Sequence, residues 1–335
     1  MPAILFLTAR SERHQQAARA AAPPEIHAIH FLSTPNKAEI LAAIPKADFL
    51  ISERAGVIDG EIIRAGARLR LIQQLGSQTH DIDLAAAKAA GVPVCDYPLP
   101  GAANVAEHLL WQILALLRRA HDGETAAQAA GNWGESQRTD EDVFSPNWSG
   151  RTGIRALRGL TVGILGFGEI GVETARRLRP FDCRLLYYKR TSFPPQVEEA
   201  LALEFCSDDR LYEQSDVLCN LLPYSPATDG LLDETVFARM KSQSILVSCG
   251  SGSVIDESAL AAALRSGHLA GAALDTFEWE PIRPDNPLLA LARNPTQNVM
   301  LTPHTAFLGG AIDRREVFAN IRRLLAGEPL HNRVA

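Results

Sequence analysis

Apolar residues gather in short runs along most of this chain, and between those runs they recur with a helical spacing. Runs at 3–7, 26–31, 49–52, 69–73 and 92–95 predict strands, and the segments 37–44, 59–65 and 83–90 predict helices. Such alternation is the pattern of a parallel sheet with helices on both faces. From 104 to 119 comes a helix that is apolar nearly all round, through Val105, Leu109, Leu110, Trp111, Ile113, Leu114, Leu116 and Leu117. A helix without a polar face is buried, here between domains or between subunits. The stretch 131–158 has no period, carries glycines and isolated aromatics (Trp133, Phe144, Trp148), and predicts a long surface loop. A second series opens at Leu160, with strands expected at 161–165, 184–188, 217–221, 244–247, 270–274 and 299–302 and helices at 170–178, 234–240, 257–266 and 314–325. The fold class expected is α/β, with two doubly wound, Rossmann- or flavodoxin-like domains.

Composition narrows the function classes. The formal net charge of the 335 residues is −6, so no extended basic face is implied and nucleic acid is not an expected partner. The cysteines at 95, 183, 206, 219 and 249 form no C-x-x-C pair, which argues against a zinc site and against a disulfide framework and suits a reducing cytoplasm. The opening MPAILFLTAR has no positive leader and an apolar run too short for a signal segment, so it reads as a strand. The longest apolar stretch, 109–117, is interrupted by Gln112 and is far below the ~18 residues of a membrane span.

The clearest chemistry is a turn. An apolar strand at 161–165 runs into Gly166, Phe167, Gly168, Glu169, Ile170 and Gly171, a G-x-G-x-x-G that opens a helix. In that context Gly166 permits a tight turn, Gly168 lets a pyrophosphate approach the backbone, Gly171 lets helix and strand pack closely, and the helix start offers free N–H groups to phosphate. At the end of the next strand, where a carboxylate about 20 positions on would bind the ribose of NAD, the chain has Lys189, Arg190 and Thr191. Two cations and a hydroxyl suit a 2′-phosphate, so NADP(H) is the preferred cofactor and NAD(H) the alternative.

At this point the sequence resembles the D-isomer-specific 2-hydroxyacid dehydrogenase family, and within it the glyoxylate/hydroxypyruvate reductase-like members. The resemblance rests on GSQTHDID at 76–83, NVAEH at 104–108, the glycine turn, GAALDTFEWEP at 271–281 and LTPH at 301–304, in order along nearly the whole chain. It implies an NAD(P)-linked enzyme that is a homodimer through the dinucleotide-binding domain. It also implies a discontinuous substrate domain, residues 1–100 plus 305–335, around a dinucleotide-binding domain at 101–304; the hydrophobic pattern alone does not imply that discontinuity. His304 is then the acid/base at the forming alkoxide, with Glu280 beside it favouring the protonated imidazole. Pro223 and Cys249 become cofactor contacts, and the backbone of Gly76, Ser77 and Gln78 receives the polar end of the substrate; Asp275, at a strand end near the expected nicotinamide, is either a cofactor contact that tunes it electrostatically or a plain strand-end cap. His80 and His108 read as structural, and Trp279, Phe307 and Trp133 as walls of a substrate site or ordinary packing.

One departure stands out. The family's third catalytic residue is an arginine in a strand-x-A-R-G-x-x-V-D segment, which clamps the substrate carboxylate. Aligned on Gly252 and Asp256, that position is Ser251. Serine cannot make the bidentate contact, and the local pattern is not the G-x-S-x-G of a nucleophile. Three readings remain open. Arg54 substitutes from the other domain; the substrate is bulkier or lacks the carboxylate; or the chain is a catalytically impaired, dinucleotide-binding regulatory protein.

Overall fold

The computed structural model describes residues 2–129, 131, 133–308 and 315–335, and the chain divides into two compact units, Met1–Pro100 with Gly309–Ala335, and Gly101–Leu308. The first unit holds β1 (Ala3–Thr8), β2 (Ala28–Ser33), β3 (Phe49–Ser52), β4 (Leu71–Gln74) and β5 (Val94–Cys95). All pair parallel, in the order β2-β1-β3-β4-β5. Alternate residues of these strands enter different cores, as the two-residue strand period requires. Leu5, Leu7, Leu50 and Ile72 pack on one face, and Ile4, Phe6, Phe49, Ile51 and Leu71 on the other, where Phe318 and Ile321 of the C-terminal segment join them. Both faces are therefore covered.

The second unit holds β6 (Thr161–Leu165), β7 (Arg184–Tyr188), β8 (Leu203–Phe205), β9 (Val217–Asn220), β10 (Ile245–Ser248), β11 (Gly271–Leu274) and β12 (Val299–Leu301). The parallel order is β12-β11-β10-β9-β6-β7-β8, and it reverses direction between β6 and β9. In open α/β sheets ligands sit outside the carboxyl ends of the strands at such a reversal. The apolar helix, Pro100–Leu117, buries Leu109, Ile113, Leu116 and Leu117 in this unit's own core, against Val162, Ile164 and Val217. Its Trp111 is 49% exposed, so the helix keeps one large apolar group on the surface.

Three differences from the sequence reading have physical causes. Helix Glu12–Ala21 was not expected: it buries only Ala18, so it has no apolar stripe to detect. The strand expected at 26–31 pairs instead from Ala28, its register set by Ala3↔Ala28. The helix expected at 314–325 begins outside the described residues, and the described part is a short 3₁₀ turn, Glu316–Phe318, leading into helix Ala319–Ala326.

Candidate active site

Register alone lines up the site. Leu165 pairs with Asn220, Asn220 with Ser248, Ser248 with Leu274, and Leu274 with Leu301. The residues that follow these strand ends, Gly166, Leu221, Cys249, Asp275 and Thr302, therefore form a row along the carboxyl edge of one sheet.

At one end of the row is the glycine turn. Gly166 has φ +82°, and a Cβ there would lie 2.9 Å from the Leu222 nitrogen, so both conformation and space demand glycine. Gly168 faces open space, and no side chain caps the helix Glu169–Leu178 that begins after it. The first N–H groups of a helix have no acceptor within it, so this turn fits a pyrophosphate. Gly171 is needed for a different reason from the one the motif suggests. A Cβ there would meet the ring of Phe167 at 2.9–3.1 Å, so it makes room for a residue of its own turn rather than for the strand. Phe167 is 4% exposed and packs edge-on against Tyr187 and Phe193, so only its backbone can face a ligand.

No carboxylate stands at 189–193, beyond the end of β7. The buried Tyr187 hydroxyl donates to Glu198 at 2.6 Å and accepts from the Phe193 nitrogen at 2.7 Å, which pins this loop. Lys189 places its Nζ 3.9 Å from the Phe193 ring centre. Arg190 and Thr191 are exposed, leaving Arg190 as the cation whose side chain has no partner among the described residues. Pro223 is exposed, and its carbonyl accepts from Thr228.

At the other end is His304, held at φ +54° by bonds from its N–H to the carbonyls of Asp275 (2.9 Å) and Thr302 (3.0 Å). Its Nδ1 lies 2.7 Å from Glu280 Oε2, and Glu280 Oε1 accepts from the Phe277 nitrogen at 3.1 Å. An ionised carboxylate only accepts, so Nδ1 carries hydrogen and Nε2 is left as the nitrogen that exchanges a proton. The imidazole is 53% exposed. Beside it Phe277, Pro281, Ile282, Leu289 and Leu301 line an apolar pocket of about 610 Å³.

Asp275, 1% exposed, is used inside the protein. Its carboxylate accepts from Thr302 Oγ1 (2.6 Å) and from the Thr305 and Ala306 nitrogens (2.9 Å each). The Thr302 hydroxyl, having given its only hydrogen to Asp275, accepts from His108 Nε2 (3.0 Å) and Gln112 Nε2 (3.2 Å). Gln112 Oε1 in turn accepts from the Cys249 thiol at 3.6 Å. Burial pushes that thiol well above its ordinary pKa, which leaves it inert as a nucleophile. Asn220, Gln112 and Thr302 were not singled out from sequence. The signal was there: each is a polar residue in or next to an apolar run.

Burial, opposed by Asp275, holds His108 below its ordinary pKa of 6.5. The unfolded chain therefore binds more protons than the folded one below that pH. We expect stability to fall as pH drops from 6.5 toward the lowered folded value. His108→Gln should fall less steeply in denaturant titrations across that window; equal slopes would refute the linkage.

Ser251 sits in an intact frame. Its N–H donates to the Leu222 carbonyl at 2.8 Å, and its hydroxyl lies 3.2 Å from that of Ser253. A Cβ on Gly252 would fall 2.0 Å from the Phe277 carbonyl carbon, so the backbone of the next segment crosses directly over it. Asp256 caps helix Glu257–Arg265 by accepting from the Ser258 and Ala259 nitrogens.

Residues 110–306 match the family model described as D-isomer specific 2-hydroxyacid dehydrogenase, NAD binding domain. The chain belongs to the D-isomer specific 2-hydroxyacid dehydrogenase family. Among its relatives, a glyoxylate reductase of Aeropyrum pernix is 34% identical over 274 residues, 80% of this chain and 76% of that one. A D-3-phosphoglycerate dehydrogenase of Mycobacterium leprae is 32% identical over 303 residues, 90% of this chain; the chain spans about half, 53%, of that relative's length. The crystal structure of a glyoxylate reductase from Paecilomyes thermophila covers 100% of this chain and 99% of its own, at 26% identity and a TM-score of 0.54.

Within this member of the family, Arg54, Gly76, Ser77 and Gln78 lie in the first unit, after adjacent strands. Arg54, two residues beyond β3, has φ +60°, with its N–H on the Ser52 hydroxyl. Gly76 (φ +109°) pairs with Tyr97 beyond β4, Ser77 is half-buried and Gln78 is buried. Trp279 stacks under Arg283, Phe307 covers Gly101, and Trp133 leans on Trp148. No helix among the described residues is long and apolar enough to cross a membrane.

Proposed function

We propose that this chain is an NADP(H)-preferring oxidoreductase that interconverts a carbonyl and an alcohol by hydride transfer. The observation that carries the reading is the 2.7 Å contact between His304 Nδ1 and Glu280 on the sheet edge that also holds the glycine turn. The reduced nicotinamide supplies hydride. His304 Nε2 gives the proton to the carbonyl oxygen in reduction and takes it back in oxidation, while Glu280 fixes the ring and its tautomer through Nδ1. Asp275, with Thr302, holds the 302–306 backbone that presents His304, and Cys249, in the same row of strand ends, would border the nicotinamide. The Gly166–Gly171 backbone and Pro223 would hold the phosphates, and Arg190 with Thr191 would hold the 2′-phosphate.

Ser251 leaves the usual carboxylate position neutral, and an apolar pocket flanks the His304–Glu280 pair. Both features favour a substrate that is bulkier than a small 2-keto acid or lacks its carboxylate. Arg54 and the backbone of Gly76, Ser77 and Gln78 receive the substrate's polar end. The protein works in the cytoplasm as a homodimer through the dinucleotide-binding unit, where Trp111 is exposed.

The test is to incubate the protein with NADPH and a panel of 2-keto acids, neutral ketones and aldehydes, following the absorbance of the reduced nicotinamide. Turnover supports the reading; tight cofactor binding without turnover of any compound favours a regulatory protein instead. Arg190→Gln should weaken NADPH binding about tenfold to a hundredfold, the loss of one charge-assisted hydrogen bond, and leave NADH unchanged. Tighter binding of NADH than of NADPH by the unaltered protein would sink the cofactor assignment.

A further inference from the structure

The second unit carries another polar cavity, at the amino ends of its strands. It has a volume of about 260 Å³ and is bordered by Ile245, Ala270 and Asn298, which begin or immediately precede β10, β11 and β12. His304 and the glycine turn follow the carboxyl ends of strands in the same sheet, so this cavity is separate from the candidate active site. Arg119 and Arg155 line it together with Gln243, Gln297 and Asn298, and no carboxylate does.

Charge at the cavity is unbalanced. Arg119 donates from Nη2 to the Thr296 carbonyl at 2.6 Å, and its Nε lies 3.6 Å from Asp122. Asp122 is shared, since Arg151 also donates to it at 3.1 Å. Arg155 is held through its backbone, N–H to the Leu117 carbonyl at 2.8 Å, and its half-buried guanidinium has no partner among the described residues. The amides of Gln243 and Asn298 are committed to backbone carbonyls. Gln297 keeps a side chain with no partner among the described residues. Two guanidiniums and a free amide thus face a small space, with a single carboxylate nearby already divided between two arginines.

Guanidinium groups match the paired oxygens of carboxylate and phosphate. The cavity is smaller than those that take drug-sized ligands. We propose that it binds a small oxyanion of a few heavy atoms, carboxylate or phosphate, with Arg155 as the principal contact and Arg119 and Gln297 beside it.

The experiment is calorimetric titration of the full chain, saturated with NADPH so that the glycine turn cannot take up anion, with inorganic phosphate and separately with malonate. Saturable binding of either anion is expected. Phosphate alone identifies a phosphate site, malonate alone a carboxylate site, and both a general oxyanion site. Arg155→Gln should weaken the binding about tenfold or more. Gln297→Leu is the second variant, expected to weaken it less, should Arg155→Gln fail to fold. Absence of saturable binding of both anions, or unchanged affinity in Arg155→Gln of native circular dichroism, would overturn the proposal.

Discussion

His304→Gln is expected to lower turnover of the best carbonyl substrate by about two to four decades, the usual contribution of a positioned acid/base, and to leave the NADPH dissociation constant unchanged. The separation follows from geometry. His304 sits at φ +54°, a conformation held by the Asp275 and Thr302 carbonyls rather than by its own side chain. Glutamine occupies the same backbone and can still donate to Glu280, but it has no proton to exchange. The glycine turn is not altered, so cofactor affinity reports an intact unit while turnover reports the missing proton. Glu280→Gln keeps a partner for the ring, but an amide can donate as well as accept, so Nδ1 is no longer held to its hydrogen-bearing form and a smaller loss, confined to kcat, is expected. Turnover of His304→Gln within threefold of the unaltered protein, measured as nicotinamide absorbance under saturating substrate, would be incompatible with the assigned role.

The elements were legible in the sequence where pattern and packing agree. Strands such as Thr161–Leu165 and Arg184–Tyr188 are buried on both faces and read as continuous apolar runs. The glycine turn was legible because its spacing answers to steric demands. Helix Glu12–Ala21 was not, because a helix that buries one alanine leaves no periodic trace. Within the site, His304 and Glu280 were found by resemblance, as nothing local in Leu301-Thr302-Pro303-His304 says that a carboxylate 24 residues away will meet the ring. The hydroxyl of Thr302 is the instructive miss. It links Asp275 to His108 and Gln112, residues separated from it by up to 194 positions, and such convergence exists only in the fold. Asp275, which its strand-end position leaves open as a cofactor neighbour or a plain cap, holds its carboxylate on Thr302, Thr305 and Ala306.

Ser251→Arg is expected to raise kcat/KM for a small 2-keto acid by about 1.5 to 3.5 decades and to lower it for the best neutral carbonyl. The magnitude is the converse of removing one partner of a buried charge pair, about 2–5 kcal/mol, at roughly 1.4 kcal/mol per decade. The substitution is a clean one because the backbone is already fixed on both sides. Ser251 donates to the Leu222 carbonyl, Gly252 lies under the Phe277 backbone with no room for a Cβ, and Asp256 starts the next helix. Ser251 is only half-buried, and among the described residues its hydroxyl has a hydrogen-bond partner in Ser253 alone, so a longer side chain displaces one weak contact. Ser251→Lys separates charge from shape. An ammonium gives the charge without the planar fork, so it should recover less than arginine. If both variants leave the 2-keto acid rate where it was while His304→Gln abolishes it, the carboxylate is held elsewhere. Arg54→Gln would then carry the loss, and the neutral turn would be no determinant of substrate.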